Sequence, residues 1–596
     1  MSLPPPNPLE DYDLSRPITS KVGLRQGLAA YGDAHFSLFL RKAFIKAAGY
    51  GEDALTRPVI GIINTGSGFN PCHANVPQLI EAVKRGVQLS GGLPIEFPTI
   101  SLHESFSSPT SMYLRNLMSM DTEEMIKAQP LDACIMIGGC DKTVPAQLMG
   151  GISANKPVLP LVTGPMMPGS HRGKRIGACT DCRNNWAAYR AGFIDIEDIA
   201  AINDELAPTS GTCGVMGTAS TMACITAALG LMPLRGASAP AVSATRLRVA
   251  EETGKNAVAA VSDEHRPQKI LTKESFLNAI TVLQAIGGST NAVVHLMAII
   301  NRHPDVAGTI TLDTFDEIGK KTPLLVDLKP SGDNYMTDFH NAGGMTALLQ
   351  TLRPLLHLSA QTITGQSLGE VLDASGAHDF PYSREIIRPL SNPLYPASSI
   401  VVLRGNIAPG GAVIKASASK DRRLLNHAGP AVVFSDTADM ARRIDDPELA
   451  VIAESVLVLK SIGPIGHPGM PEAGLIPIPR KLGAAGVEDM LRLSDGRMSG
   501  TAGGTIVLHI SPESVVPDSV FGVVRDGDII RCDVENRVIR LDVPEEEIAR
   551  RIADKKKIDS VGGREKKRGY RGLYERSVNQ AEHGVDFDFL TAAGPS

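Results

Sequence analysis

LDACIMIGGCDKTVPA, residues 131–146, decides the fold of this 596-residue chain. Its opening residues, LDACIMIGG (131–139), form a short apolar run closed by a glycine pair. A run of that length bounded by turn residues predicts a buried strand. A thiol, a carboxylate and an amine follow side by side, Cys140, Asp141 and Lys142, and Pro145 comes soon after. Thiolates suit iron or zinc, whereas carboxylates suit magnesium or manganese. Their adjacency points to two inorganic centres in one pocket. Spacing alone leaves open a blander alternative, a buried cysteine followed by an exposed turn.

Similar runs lie on either side. PVIGIINT (58–65) and PVLPLVTGP (157–165) predict two more buried strands. VPQLIEAVKRGVQLSG, TASTMACITAALGLM and TKESFLNAITVLQAIGG predict helices. Strands alternating with helices imply an α/β layered domain with a largely parallel sheet. In such sheets chemistry gathers beyond the carboxyl ends of the strands, where Cys72 and Cys140 fall. The texture changes near residue 390, where RPLSNPLYPASS (388–399) predicts a linker. Beyond it SIVVLRGNIA, GAVIKAS, AVVFSD, SVLVLKS, GTIVLHI, DIIRCDV and RVIRLDV predict strands of a barrel-type domain. The expected division is a flexible arm over 1–20, an α/β domain over 21–388 and a β-rich domain over 389–596.

Net charge is -5 and the isoelectric point is near 6.3, with no electrostatic footprint for nucleic acid or an anionic membrane. The N-terminus is polar and proline-rich, unlike a secretory signal, and no apolar run reaches the ~18 residues of a membrane helix. A cytoplasmic enzyme acting on a small molecule is the expectation. The basic runs KKK (555–557) and REKKRGYRG (564–572) are expected to be solvated faces. Eight cysteines spread over this length do not suggest a disulfide framework. Cys179 and Cys182 form a C-x-x-C, but no second such pair accompanies it, so a peripheral pair is expected.

Seven segments, in order, resemble the dihydroxy-acid and phosphogluconate dehydratase family. They are NTGSGFNPCHANV around Cys72, GGCDKTVPA, SGTCGVMGTAST around Cys213, GGSTNAVVH (287–295), GNIAPGGAVIK (405–415), GPIGHPGMPE (463–472) and LSDGRMSG (493–500). The sugar-acid branch is the most similar. The resemblance implies a [2Fe-2S] cluster on Cys72, Cys140 and Cys213. Four cysteines would saturate such a cluster, so three leave one iron position for a substrate oxygen. It also implies a Mg²⁺ site on Glu104, Asp141, Glu472 and Lys142. An ammonium offers donors only, so Lys142 would have to be carbamylated to serve. Ser499 matches the general base, and a homodimer or homotetramer is implied.

The implied reaction removes water from a 2,3-dihydroxy acid to give a 2-keto-3-deoxy acid. Magnesium would stabilise charge at the carboxylate end, and the open iron would activate the 3-hydroxyl as a leaving group. Within the family the alternative substrate is 2,3-dihydroxy-isovalerate. From another class, an iron–sulfur electron carrier or redox sensor would want four cysteines and no Ser499. His73, His103 and His467 are expected to line the pocket. His103 and Ser107-Ser108 depart from the sugar-acid pattern, which usually has glycine and a basic residue there, so substrate identity stays open.

Overall fold

The computed structural model describes residues 9–18, 22–376, 379–561 and 567–592. Strands β1 (Val59–Asn64), β2 (Leu93–Pro98), β3 (Ala133–Gly138) and β4 (Val158–Val162) form a parallel sheet in the order β2-β1-β3-β4. Alternation sorts its side chains. Ile60, Ile62, Ala133, Ile135 and Ile137 enter one apolar cluster, with Val59, Ile63, Cys134 and Met136 in another. Both faces are covered, as a parallel sheet requires.

Helices α1 (Ala34–Ala47), α2 (Val76–Leu89), α3 (Arg115–Ala128), α4 (Thr143–Ala154) and α5 (Thr180–Arg190) follow in the chain. Helix α2 packs closely on the helix Ala244–Ala259. A Cβ on Gly86 would stand 2.0 Å from the Glu251 carbonyl oxygen, so only glycine allows this approach. The predicted helical segments appear as α2, Thr218–Ala228 and Lys273–Ala285. The last two lie within a large buried apolar cluster with Asn291–Asn301 and Gly344–Leu352.

After a small hairpin, β5 (Gly169–His171) with β6 (Lys174–Ile176), eight more strands build the second sheet. They are β7 (Val401–Leu403), β8 (Gly411–Ile414), β9 (Asn426–Phe434), β10 (Val456–Leu459), β11 (Arg492–Ser494), β12 (Ile506–Ser511), β13 (Ile529–Asp533) and β14 (Val538–Leu541). Their order is β14-β13-β9-β10-β11-β12-β8-β7. A bridge between Arg404 and Val538, with Ile539 N donating to the Arg404 carbonyl at 2.8 Å, joins the two ends into a nearly closed barrel. Its β9-β10-β11-β12 arc and the closing bridge are parallel and the other strand pairs antiparallel.

Of the expected N-terminal arm, residues 1–8, 19 and 20 lie outside the described residues, as do 564–566 of the basic tail. Between them Asp11 is ion-paired with Arg25 at 2.6 Å and Lys42 at 3.1 Å. Among the described residues no helix is long and apolar enough to cross a membrane.

Candidate active site

Every parallel strand of the first sheet ends at the site. Cys72 lies in a helical turn, Pro71–His73, after β1, and Cys140 lies just beyond β3. Buried His73 clamps the two loops together. Its Nδ1 donates to the Thr65 carbonyl at 2.9 Å, and its Nε2 accepts from the amides of Gly139 (2.9 Å) and Cys140 (3.0 Å). Burial pushes His73 down to about 4, so the ring stays neutral and keeps an acceptor nitrogen. The Cys72 and Cys140 sulfurs lie within 4.8 Å of each other. With His103, their ligand atoms all lie within 4.8 Å, a group able to hold a metal ion. The Cys72 thiol is pushed well up, first by the neighbouring Cys140 and then by burial.

Cys213 lies in a later loop that is bridged to the segment just after β4. Thr212 N donates to the Gly164 carbonyl, and Met166 N to the Thr212 carbonyl, each at 2.9 Å. Cys213 Sγ stands 3.4 Å from Cys179 Sγ. The expectation that Cys179 is peripheral is therefore corrected. Its neighbour in space is 34 positions away, so C-x-x-C spacing held no trace of it.

Beside the thiols lies an acidic pocket. Glu104 (3.8 Å), Asp141 (3.7 Å) and Glu472 (3.8 Å) converge on Lys142 Nζ. That nitrogen is fully buried without a hydrogen-bond partner. Arg497 enters from the other side, with Nη1 at 2.5 Å from Glu472 and Nη2 at 3.1 Å from Glu104. Burial alone would raise the Glu104 carboxyl. The charges of Arg497 and Lys142, with hydrogen bonds from Ser111 and Thr110, instead hold it far below the usual range. Glu472 moves the opposite way, because its burial outweighs the same two cations.

Glu472 follows β10 and Ser499 follows β11, so the carboxyl-end rule holds in the barrel too. Asp495 ties these loops together, accepting from Ile462 N at 3.1 Å and Ser514 N at 2.8 Å. Glu513 and Tyr574 brace the loop before Glu472 by accepting from Gly466 N (2.7 Å) and Gly469 N (3.1 Å). Buried Ser499 shares a 2.9 Å hydrogen bond with Thr501 Oγ1. Thr180 Oγ1 donates to the Thr501 carbonyl at 2.8 Å, and Asn291 Nδ2 to the Met498 carbonyl at 2.9 Å. A Cβ on Gly500 would stand 2.4 Å from Ser289 Oγ, so this turn needs glycine to seat against its neighbours.

The donor chemistry divides cleanly: thiols and an imidazole on one side, carboxylates on the other, as a soft and a hard metal would require. Arg497, His73 as a clamp, and Cys179 are the residues that sequence reasoning missed. Arg497 was within reach, since it stands inside LSDGRMSG, two residues from Ser499.

Residues 57–371 match the family described as Dihydroxy-acid/6-phosphogluconate dehydratase N-terminal, and residues 385–585 match its C-terminal counterpart. The chain is 42% identical to 6-deoxy-6-sulfo-D-gluconate dehydratase of Pseudomonas putida, over 91% of this chain and 92% of that protein. It is 41% identical to L-arabinonate dehydratase of Rhizobium leguminosarum bv. trifolii, over 94% and 95%. To dihydroxy-acid dehydratase of Caldicellulosiruptor saccharolyticus it is 35% identical, over 91% and 97%.

Proposed function

The chain belongs to the dihydroxy-acid/6-phosphogluconate dehydratase family and is a hydro-lyase, and on that premise we propose that it dehydrates an aldonic acid to a 2-keto-3-deoxy acid. The names of the sugar-acid dehydratases it resembles at 41–42% identity favour that substrate class over 2,3-dihydroxy-isovalerate. In this proposal Cys72, Cys140 and Cys213 hold a [2Fe-2S] cluster, and Glu104, Asp141, carbamylated Lys142 and Glu472 hold Mg²⁺. One observation carries it: a buried Lys142 nitrogen that makes no hydrogen bond and is ringed by three carboxylates, two residues from a cluster cysteine. Left as an ammonium, that nitrogen cannot ligate a cation. As a carbamate it would add the oxygens that a hard ion takes.

When bound, the two centres supply Lewis acidity at the carboxylate end and at the departing hydroxyl of the substrate. The chain's own groups do the rest. Ser499 Oγ takes the C2 proton, with its direction fixed by Thr501 Oγ1, which Thr180 in turn anchors through the Thr501 carbonyl. Arg497 keeps Glu104 charged, so that carboxylate stays open to a cation. Neutral His73 holds the Cys72 and Cys140 loops at a fixed separation. Loss of the C2 proton and of the 3-hydroxyl releases one water and leaves an enol, which tautomerises to the keto acid.

The test is a turnover screen of anaerobically prepared, Mg²⁺-supplied enzyme on arabinonate, xylonate, gluconate, galactonate and 2,3-dihydroxy-isovalerate. Keto-acid formation from an aldonate supports the proposal. Turnover confined to 2,3-dihydroxy-isovalerate would overturn the substrate class.

A further inference from the structure

We infer that Cys179 is a fourth thiol at the cluster site, paired with Cys213 as Cys72 is paired with Cys140, and that it gives up its place when substrate binds. This rests on the cluster assignment proposed above.

The thiols stand in two pairs. The Cys72 and Cys140 sulfurs lie within 4.8 Å of each other, and those of Cys179 and Cys213 are 3.4 Å apart. Two cysteines on each iron is the arrangement that saturates a [2Fe-2S] cluster. With Cys72 and Cys140 completing one end, Cys213 alone would leave a single vacancy at the other, and Cys179 lies beside it. His103 is the rival for that vacancy, since its ligand atom lies within 4.8 Å of those of Cys72 and Cys140, and the experiment below separates the two.

The seat of Cys179 is built. Cys179 precedes α5, whose first turn is locked by Asp181. That carboxylate accepts from Gly177 N (2.8 Å), Tyr335 Oη (2.8 Å) and Lys329 Nζ (2.7 Å). The same turn touches the rest of the site. Thr180 holds the Thr501 carbonyl beside Ser499, and Arg183 Nη2 is 4.0 Å from Glu472. A substrate spanning the acidic pocket and the thiols therefore lies against this helix start. In the exchange one iron–sulfur bond breaks and a substrate oxygen takes the vacated position. The thiolate leaves with its electron pair, so no electron is transferred. It stays beside Arg183 and Cys182, which already flank it. Without substrate, four sulfurs close the cluster against oxidants.

The experiment compares full-length wild type, Cys179→Ala, Cys179→Ser and Cys182→Ala after anaerobic reconstitution with iron and sulfide. Iron and sulfide content, visible spectrum, electron paramagnetic resonance of the reduced cluster and the rate of bleaching in air are recorded. Expected are a full cluster in both Cys179 variants, an altered spectrum and resonance, and bleaching several-fold faster than wild type, with Cys182→Ala unchanged. On the wild type itself, iodoacetamide should label Cys179 only after a chelator strips the iron. A loaded wild type whose spectrum and bleaching are shared by Cys179→Ala, or whose Cys179 is alkylated with the cluster in place, overturns the inference alone. So does a nitrogen coupling in the reduced cluster that vanishes in His103→Ala, which would give the fourth position to His103. A wild type that takes up no iron and sulfide overturns the cluster assignment beneath it.

Discussion

The thiol pocket and the acidic pocket share the run Cys140-Asp141-Lys142 yet are made differently. The thiols come from loops at the ends of one parallel sheet, clamped by a neutral imidazole, with no formal charge needed to hold them. The acidic pocket draws Glu104 and Asp141 from that sheet and Glu472 from the barrel, and two buried cations, Lys142 and Arg497, bind them together. The soft pocket is thus a product of local geometry. The hard one exists only when sheet and barrel meet.

The comparison can be broken on either side. Cys140→Ser should have the largest effect, abolishing both the visible cluster spectrum and turnover; iron retained at the wild-type level would exclude Cys140 as a ligand. Ser499→Ala should lower turnover by about 10²–10⁴-fold, the usual worth of a general base, with the spectrum unchanged. Retained turnover would remove Ser499 from that role.

Arg497→Met strikes the hard pocket alone, leaving Glu104 and Glu472 facing each other across a buried space. Breaking such a pair costs about 3–5 kcal/mol. Urea unfolding of metal-free protein should show that loss, and added Mg²⁺ should recover part of it. No recovery would argue that the carboxylates do not hold the ion.

The smallest effect belongs to His73. In metal-free protein, His73→Ala strands two amide donors and should cost about 2 kcal/mol. The pH dependence separates the clamp from simple packing. Folded His73 titrates near 4, below its ordinary value of about 6.5, so its stabilisation is full above that value and fades as pH falls toward 4. The variant should lose that part of the acid slope. An unchanged slope would mean that the imidazole is not held neutral by the fold.

Much of this was legible in the chain. Apolar runs marked β1, β3, β4 and seven barrel strands, because buried strands need continuous apolar sequence. Four strands were hidden, among them the three-residue hairpin strands β5 and β6. β2 (LPIEFP) is broken by prolines at both ends of its core, which read as turns, and β11 is three residues absorbed into LSDGRMSG. Individual motifs pointed to Cys72, Cys140, Asp141 and Lys142. Glu104 and Glu472, by contrast, look like surface carboxylates until the resemblance singles them out. The pairing of Cys179 and the ion pairs of Arg497 were hidden for another reason, although Arg497 itself stood inside a quoted motif. Each matters through a partner far along the chain, and local spacing does not encode such contacts.

The joint between Arg404 and Val538 has a consequence for synthesis. A ring sealed by its first and last strands cannot close until the final strand has left the ribosome. By then the four thiol loops have long been made, while the walls carrying Glu472 and Ser499 are still unanchored. A chain stalled short of Val538 would carry its thiol loops without the closed barrel that seats Glu472 and Ser499 beside them.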